Sequence, residues 1–172
     1  TAATCTPSRY SLLTGSYPWR NENAAILAGD APLIIPTDMP TLPGTLRKAG
    51  YTTGIVGKWH LGRAKGMLPH HQGFDDSLLM ASGLYLPEDD PEVVNARLPF
   101  DPIDQFLWAR LNFANSFNSG DQDRFKPGGY LTDYWTDESI KVIQANKNRP
   151  FFLYLAHWGT HTPLQATLED YE

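Results

Sequence analysis

Hydrophobic positions along the chain fall in short clusters, separated by stretches rich in Pro, Gly, Asn and Asp. The first cluster follows Thr6 and Pro7, residue types that suit a helix start. Leu12 and Leu13 give that helix an apolar side, and Gly15 suits its end. Residues 19–40 predict irregular loop. Residues 41–49 predict a short helix stopped by Gly50, and the β-branched stretch 51–57 a strand. Residues 62–100 read mostly as loop, with one strand over 77–81, and Asp101-Pro102 opens a helix through Phe113. Gly, Asn and Asp predict a further loop over 115–129, and the pattern over 132–145 predicts an amphipathic helix. Pro150 then precedes an unbroken apolar run over 151–156, which suits a strand buried on both faces in a parallel sheet. Helices alternating with such strands imply an α/β layered fold, whose ligands sit beyond the carboxyl ends of the strands.

Composition narrows the function classes. A chain of 172 residues can bury one real core. Fourteen Lys and Arg against nineteen Asp and Glu give a net charge of −5, without a basic stripe, which argues against nucleic acid as a partner. The single cysteine excludes an internal disulfide framework. No apolar run approaches the roughly 20 residues of a membrane span, and no signal peptide pattern is present. The chain starts at Thr1 and ends at Glu172 without a capping signal, so it is expected to be one segment of a single domain, truncated at both ends.

Three clusters follow a strand end or a helix start. In Cys5-Thr6-Pro7-Ser8-Arg9, the cysteine lies at the positive end of a helix dipole and Arg9 lies one turn on, an arrangement suited to attack on an oxyanion centre. A small buried cysteine beside a surface arginine reads equally well from these residues alone. In Gly57-Lys58-Trp59-His60, Lys58 and His60 leave one face of an extended segment, the lysine fit to neutralise an oxyanion and the histidine to move a proton. A solvated loop is the competing reading. In His157-Trp158-Gly159-Thr160-His161-Thr162-Pro163, Gly159 and Pro163 argue against a helical zinc pair; His161 reads as a loop histidine of a site and His157 as a core histidine at the strand end.

Taken together these residues resemble the sulfatase family. Residues 3–15 are similar, position by position, to the motif that directs conversion of cysteine to formylglycine; residues 50–62 are similar to the second sulfatase motif; His161-Thr162-Pro163 is similar to the later His-x-Pro segment. The resemblance implies an arylsulfatase-like enzyme on an alkaline-phosphatase-like α/β/α sandwich, of which this chain is an incomplete part. It implies that Cys5 becomes 3-oxoalanine (formylglycine). One hydroxyl of its hydrate attacks sulfur and the alcohol leaves; deprotonation of the other then expels sulfate. In that scheme His60 takes the proton of the elimination, Arg9 holds the hydrate, Lys58 contacts both sulfate and the modified residue, and His161 serves the leaving oxygen. Ser82 matches a further substrate-contacting serine.

The resemblance also implies a divalent cation, calcium in the family, for which Cys5 is the one ligand position present. Asp75-Asp76 and Asp89-Asp90 stand in the wrong order for the family's paired aspartates and read as solvated turns. The segment alone is therefore expected to be inactive. Implied partners are a sulfated small molecule or carbohydrate and a formylglycine-generating maturation enzyme; the implied location is exported, whether periplasmic, secreted or lysosomal. Two other functions remain open: a formylglycine-dependent phosphonate or phosphodiester hydrolase, and a non-catalytic relative on the same fold. Tyr85, Trp108 and Trp158 are candidates to stack on a sugar ring, although aromatic residues in this number commonly fill a core.

Overall fold

The computed structural model describes residues 2–28, 31–64, 66–82, 84–109, 115–118 and 124–172. A five-stranded sheet organises them. Its strands are β1 (Thr52–Gly57), β2 (Asp76–Ser82), β4 (Asn115–Asn118), β5 (Arg124–Phe125) and β6 (Phe151–Ala156), in the order β5-β4-β2-β1-β6. The strands β6, β1 and β2 run parallel, and β4 and β5 add antiparallel partners beyond β2. A separate two-stranded ribbon pairs β3 (Val93–Ala96) with β7 (Leu164–Thr167).

Strand β1, between β2 and β6, carries apolar groups to both sheet faces. Ile55 joins Leu79, Tyr10, Leu13 and Phe74 in one core, roofed by helix α1 (Cys5–Thr14) and the loop that follows it. Val56 joins Met80, Leu131 and Trp135 in a second core under helix α4 (Leu131–Asn146). The result is the expected α/β/α layering. Alternation of side chains along one strand produces both cores, because neighbouring residues point to opposite faces.

Local signals account for most element ends. Gly15 closes α1 in the left-handed region at φ 68°, its N–H donating to Ser11 O. Thr41 caps helix α2 (Leu42–Lys48) by accepting from Gly44 N, and Asp101 caps helix α3 (Pro102–Trp108) by accepting from Ile103 N. Helix α5 (Leu168–Tyr171) ends the chain.

Several expectations need correction. Thr6 does not cap α1; the helix starts at Cys5, and the Thr6 hydroxyl is buried without a partner. The expected loop over 115–129 contains β4 and β5, and the expected loop over 62–100 contains β3, because pairing with distant strands outweighs weak local propensity. The end of the expected helix through Phe113 lies outside the described residues. Strand β6 forms where predicted but is half-buried rather than enclosed, because among the described residues it pairs on one side only, with β1. Asp75 is no free turn residue: its carboxylate accepts from Thr53 N and Thr53 Oγ1 and pairs with Arg47 at 3.0 Å, tying α2 to the start of β1.

Candidate active site

The three candidate clusters meet at one end of the sheet. Parallel pairing in register sets Gly57 beside Ala156, so the segments following β1 and β6 leave the sheet side by side. Lys58 N donates to Ala156 O at 2.7 Å. This close approach explains Gly57: at φ 107° a Cβ there would lie 2.1 Å from Ala156 O.

Arg9 joins helix α1 to this sheet end. Its Nη1 donates to Lys58 O at 2.5 Å and to the Tyr154 hydroxyl at 3.1 Å, while its Nε is buried without a partner. Tyr154 was not foreseen as part of the site; it read only as one residue of an apolar strand. Burial raises the pKa of its phenol, with the Arg9 cation opposing that rise.

Cys5 stands half-buried at the first position of α1. The Lys58 side chain hydrogen-bonds to Cys5 and is itself only 8% exposed. Burial lowers the lysine pKa, Cys5 counteracts that shift, and the Arg9 cation adds to it. The Lys58 ammonium also lies 4.4 Å from the centre of the Trp158 ring, a cation–π contact. On Trp158, in turn, stacks the His161 imidazole at 4.0 Å and 25°. The Trp158 ring, a candidate for sugar stacking, is thus taken up within the site itself.

The two histidines are held in defined tautomers. His60 occupies the left-handed region at φ 56°, so the segment after β1 turns instead of continuing extended, and Lys58 and His60 reach the site by a different route than alternation predicts. Its Nε2 lies 2.8 Å from Leu27 O. A carbonyl only accepts, so Nε2 carries the proton and Nδ1 keeps its lone pair, buried and without a partner. Burial, reinforced by the Lys58 charge, lowers the His60 pKa to about 4. His161 Nδ1 lies 2.6 Å from Thr162 O, which by the same reasoning makes Nδ1 the donor and leaves Nε2 open. Burial lowers its pKa also, Lys58 and Arg9 adding to the effect and Asp101 opposing it.

His157 is half-buried at the strand end with a pKa lowered by burial, as a core histidine would be. Ser82 ends β2 at the same end of the sheet; its side chain lies outside the described residues. Tyr85 is a buried positioning residue. Its hydroxyl donates to His161 O at 3.0 Å and its ring stacks on Tyr130.

Calcium requires six to eight oxygen ligands. Among the described residues no group of three or more His, Cys, Asp or Glu is placed to hold a metal ion, and the side chain beside Cys5 is a cation. These residues do not by themselves compose a calcium site. They do fit an oxidised Cys5: the Lys58 cation hydrogen-bonds residue 5, Arg9 stands one turn on along α1, and an unprotonated, unpartnered imidazole nitrogen is buried near the same two charges.

This geometry agrees with the chain's similarities. The sulfatase family model matches residues 1–172. N-acetylgalactosamine-6-O-sulfatase of Bacteroides thetaiotaomicron is 34% identical over 95% of the chain and 40% of its own length. Mouse N-acetylgalactosamine-6-sulfatase is 34% identical over 95% of the chain and 32% of its own length. The crystal structure of Ps i-CgsB superposes with a TM-score of 0.74 at 30% identity, covering 96% of this chain and 37% of that one. A second relative, solved in complex with D-glucosamine-2-N,6-O-disulfate as its substrate, matches with a TM-score of 0.58 at 26% identity, over 93% of this chain and 26% of that one. The chain thus spans well under half the length of these relatives. On the match over its whole length, with the residues of both long motifs gathered at one end of the sheet, the chain belongs to the sulfatase family.

Proposed function

We propose that the full-length protein hydrolyses sulfate esters, most suitably those of carbohydrates, through a nucleophile made by oxidising Cys5, and that residues 1–172 form part of its single catalytic domain. The observation that carries the reading is the convergence of Arg9, Lys58 and Cys5, with His60 and His161 in the same field of charge. Two carbohydrate sulfatases among the relatives support the substrate class.

Formylglycine, when formed at position 5 and hydrated, supplies an oxygen nucleophile and a second hydroxyl whose deprotonation releases sulfate. The protein side chains do the rest. Lys58 sits between residue 5 and Trp158, placed to neutralise the non-bridging sulfate oxygens. Arg9, fixed by Lys58 O and Tyr154, holds the hydroxyls of residue 5 with its free Nε. His60 is neutral above about pH 4, and its bare Nδ1 accepts the proton of the elimination. His161 uses Nε2 toward the leaving oxygen. Burial, with the Lys58 and Arg9 charges adding to it, lowers the pKa of that ring; an incoming sulfate anion offsets the two cations and favours the imidazolium that donates. Ser82 is assigned a contact to substrate. Calcium ligation beyond Cys5, a formylglycine-generating partner and export complete the proposal. No helix of the described residues is long and apolar enough to cross a membrane.

A phosphodiester or phosphonate hydrolase is the second reading, because a phosphodiester, like a sulfate monoester, carries a single negative charge for Lys58 and Arg9 to meet. Paired assays of the full-length protein with 4-nitrophenyl sulfate and bis(4-nitrophenyl) phosphate separate the two. Sulfate turnover at least 100-fold faster in kcat/KM is expected; the reverse order supports the second reading, and no turnover of either defeats both.

A further inference from the structure

The β3–β7 ribbon stands apart from the main sheet, and the chemistry above gives it no task. Its antiparallel register sets Asn95 opposite Gln165. Gln165 is 9% exposed, unusually little for an amide side chain. A buried amide must place its acceptor and its donors in hydrogen bonds.

The bonds of the Gln165 amide fix its orientation. Its Oε1 accepts from Tyr85 N at 2.8 Å and from Leu86 N at 3.3 Å. Both partners are donors, so the atom facing them is the oxygen. Its Nε2 then donates to Asn95 Oδ1 at 2.7 Å. Asn95 is oriented in turn, because its Nδ2 donates to Glu88 O at 2.8 Å. One side chain thus ties β7 to β3 and to the backbone at Tyr85 and Leu86.

Tyr85 is held at several points by this arrangement. Its N–H is taken by Gln165, its carbonyl accepts from Leu131 N at 3.1 Å, and its ring stacks on Tyr130 at 5.6 Å. The Tyr130 hydroxyl donates to Gln165 O at 3.2 Å, so the stacking partner is fixed by the same residue. With backbone and ring set, the Tyr85 hydroxyl has little freedom, and it donates to His161 O at 3.0 Å.

The other bonds of His161 are local. Its N–H donates to Trp158 O, its Nδ1–H donates to Thr162 O, and its ring stacks on Trp158. These partners lie within residues 158–162 and move with the histidine. The Tyr85 hydroxyl reaches His161 from outside that segment, across 76 residues of sequence, and so sets where the segment stands.

From these contacts we infer that Gln165 is a positioning residue for the reaction. Its amide fixes Tyr85, the Tyr85 hydroxyl fixes the His161 carbonyl, and the imidazole Nε2 is thereby held toward the leaving oxygen. The inference rests on the sulfatase reading, in which His161 serves the leaving alcohol, and it gives the β3–β7 ribbon a part in that chemistry.

The test uses the full-length protein and two aryl sulfates of similar shape: 4-nitrophenyl sulfate, which has a good leaving group, and phenyl sulfate, which has a poorer one. Tyr85→Phe removes one oxygen and keeps the ring stack. It is expected to lose about tenfold in kcat on phenyl sulfate and about twofold on 4-nitrophenyl sulfate, with KM for each within about twofold of wild type. Gln165→Met, close in shape but without hydrogen-bonding groups, is expected to show the same imbalance between the esters. Asn95→Ala, which deletes one bond to the amide, should show a milder one. In a His161→Ala background Tyr85→Phe should cause no further loss on phenyl sulfate, because both changes act through one group. Equal losses on the two esters, or a loss carried by KM, overturn the inference in favour of a merely structural role. Wild-type kinetics in Tyr85→Phe also overturn it, as does a further tenfold loss in the His161→Ala background. Should Gln165→Met not fold, Asn95→Ala decides for the amide, and an unchanged ratio between the esters overturns its role. If wild type hydrolyses both esters and His161→Ala loses equally on both, the inference fails and the sulfatase reading stands. Turnover of neither ester by wild type defeats both.

Discussion

Gly57→Ala is predicted to damage catalysis more than its single added methyl suggests. Gly57 ends β1 at φ 107°, a region that favours glycine, and a Cβ there would stand 2.1 Å from Ala156 O. An ordinary carbon–oxygen contact needs more than about 3 Å, so β1 and β6 must separate locally by roughly 1 Å. That separation breaks the 2.7 Å bond from Lys58 N to Ala156 O and moves Lys58 and His60 away from the segment carrying Trp158 and His161. Backbone strain contributes about 1–3 kcal/mol, and the lost strand-end hydrogen bond contributes about 1 kcal/mol more. Misplacement of catalytic groups by about 1 Å costs on the order of 100-fold in rate. Gly50→Ala is the matched control, since Gly50 has φ 89° but nothing within 4 Å of its added Cβ. Urea unfolding and kcat on 4-nitrophenyl sulfate, measured for both variants in the full-length protein, separate strain from displacement. Both should lose stability, and Gly57→Ala alone should lose about 100-fold in kcat. Equal kcat in the two variants would refute the claim that the close approach of the strands sets the site.

Other expectations follow from the histidines. His161→Ala should cost about 10³-fold on sugar sulfates, whose alkoxide leaves poorly, and about 10-fold on 4-nitrophenyl sulfate, in line with general acid catalysis; equal losses across a leaving-group series would contradict a donor role. For His60, the folded pKa of about 4 lies below the usual 6.5, so the unfolded chain binds the extra proton between those values. The stability linked to the neutral ring is full above pH 6.5 and is lost as pH falls through about 4. Solvent around this half-buried ring reduces its worth to about 1–2 kcal/mol. Unfolding of wild type and His60→Gln at pH 7.5 and 4.5 should show the smaller pH dependence in the variant, and matching slopes would refute the shift.

Much of the fold was legible because local chemistry and tertiary context agree there. Gly15 and Gly50 end helices at positive φ that glycine tolerates, Thr41 and Asp101 cap helices with side-chain oxygens, and the apolar run after Pro150 is a parallel strand. Strand β4 was illegible because Asn115, Ser116 and Asn118 have poor strand propensity, and only pairing with β2 makes them extended; β5 forms in turn by pairing with β4. Pairing of β3 with β7 joins segments some seventy residues apart, which no local pattern announces. Strand β6 was read as enclosed because an apolar run gives hydrophobicity and not the number of neighbouring strands.

The candidate site divides in the same way. Cys5, Arg9, Lys58, His60 and His161 were legible from motif order, and the fold gathers them. The left-handed turn at His60 was not, since it depends on Leu27 O, a backbone atom thirty-three residues away. Nor was the ladder of Lys58, Trp158 and His161, which needs β1 and β6 to be neighbours before those side chains can meet. Tyr154 was hidden for the same reason, because its partner Arg9 lies 145 residues away in sequence.

Residue 5 is proposed to work as an oxidised cysteine, with Lys58 bonded to it and Arg9 one turn on along α1. Mass spectrometry of the tryptic peptide containing Cys5, from full-length protein produced with a formylglycine-generating enzyme and assayed in parallel, tests it most directly. The expected peptide has lost the thiol in favour of an aldehyde, trapped by a hydrazine probe, with activity proportional to the converted fraction. An active protein whose peptide carries only unmodified cysteine would contradict it.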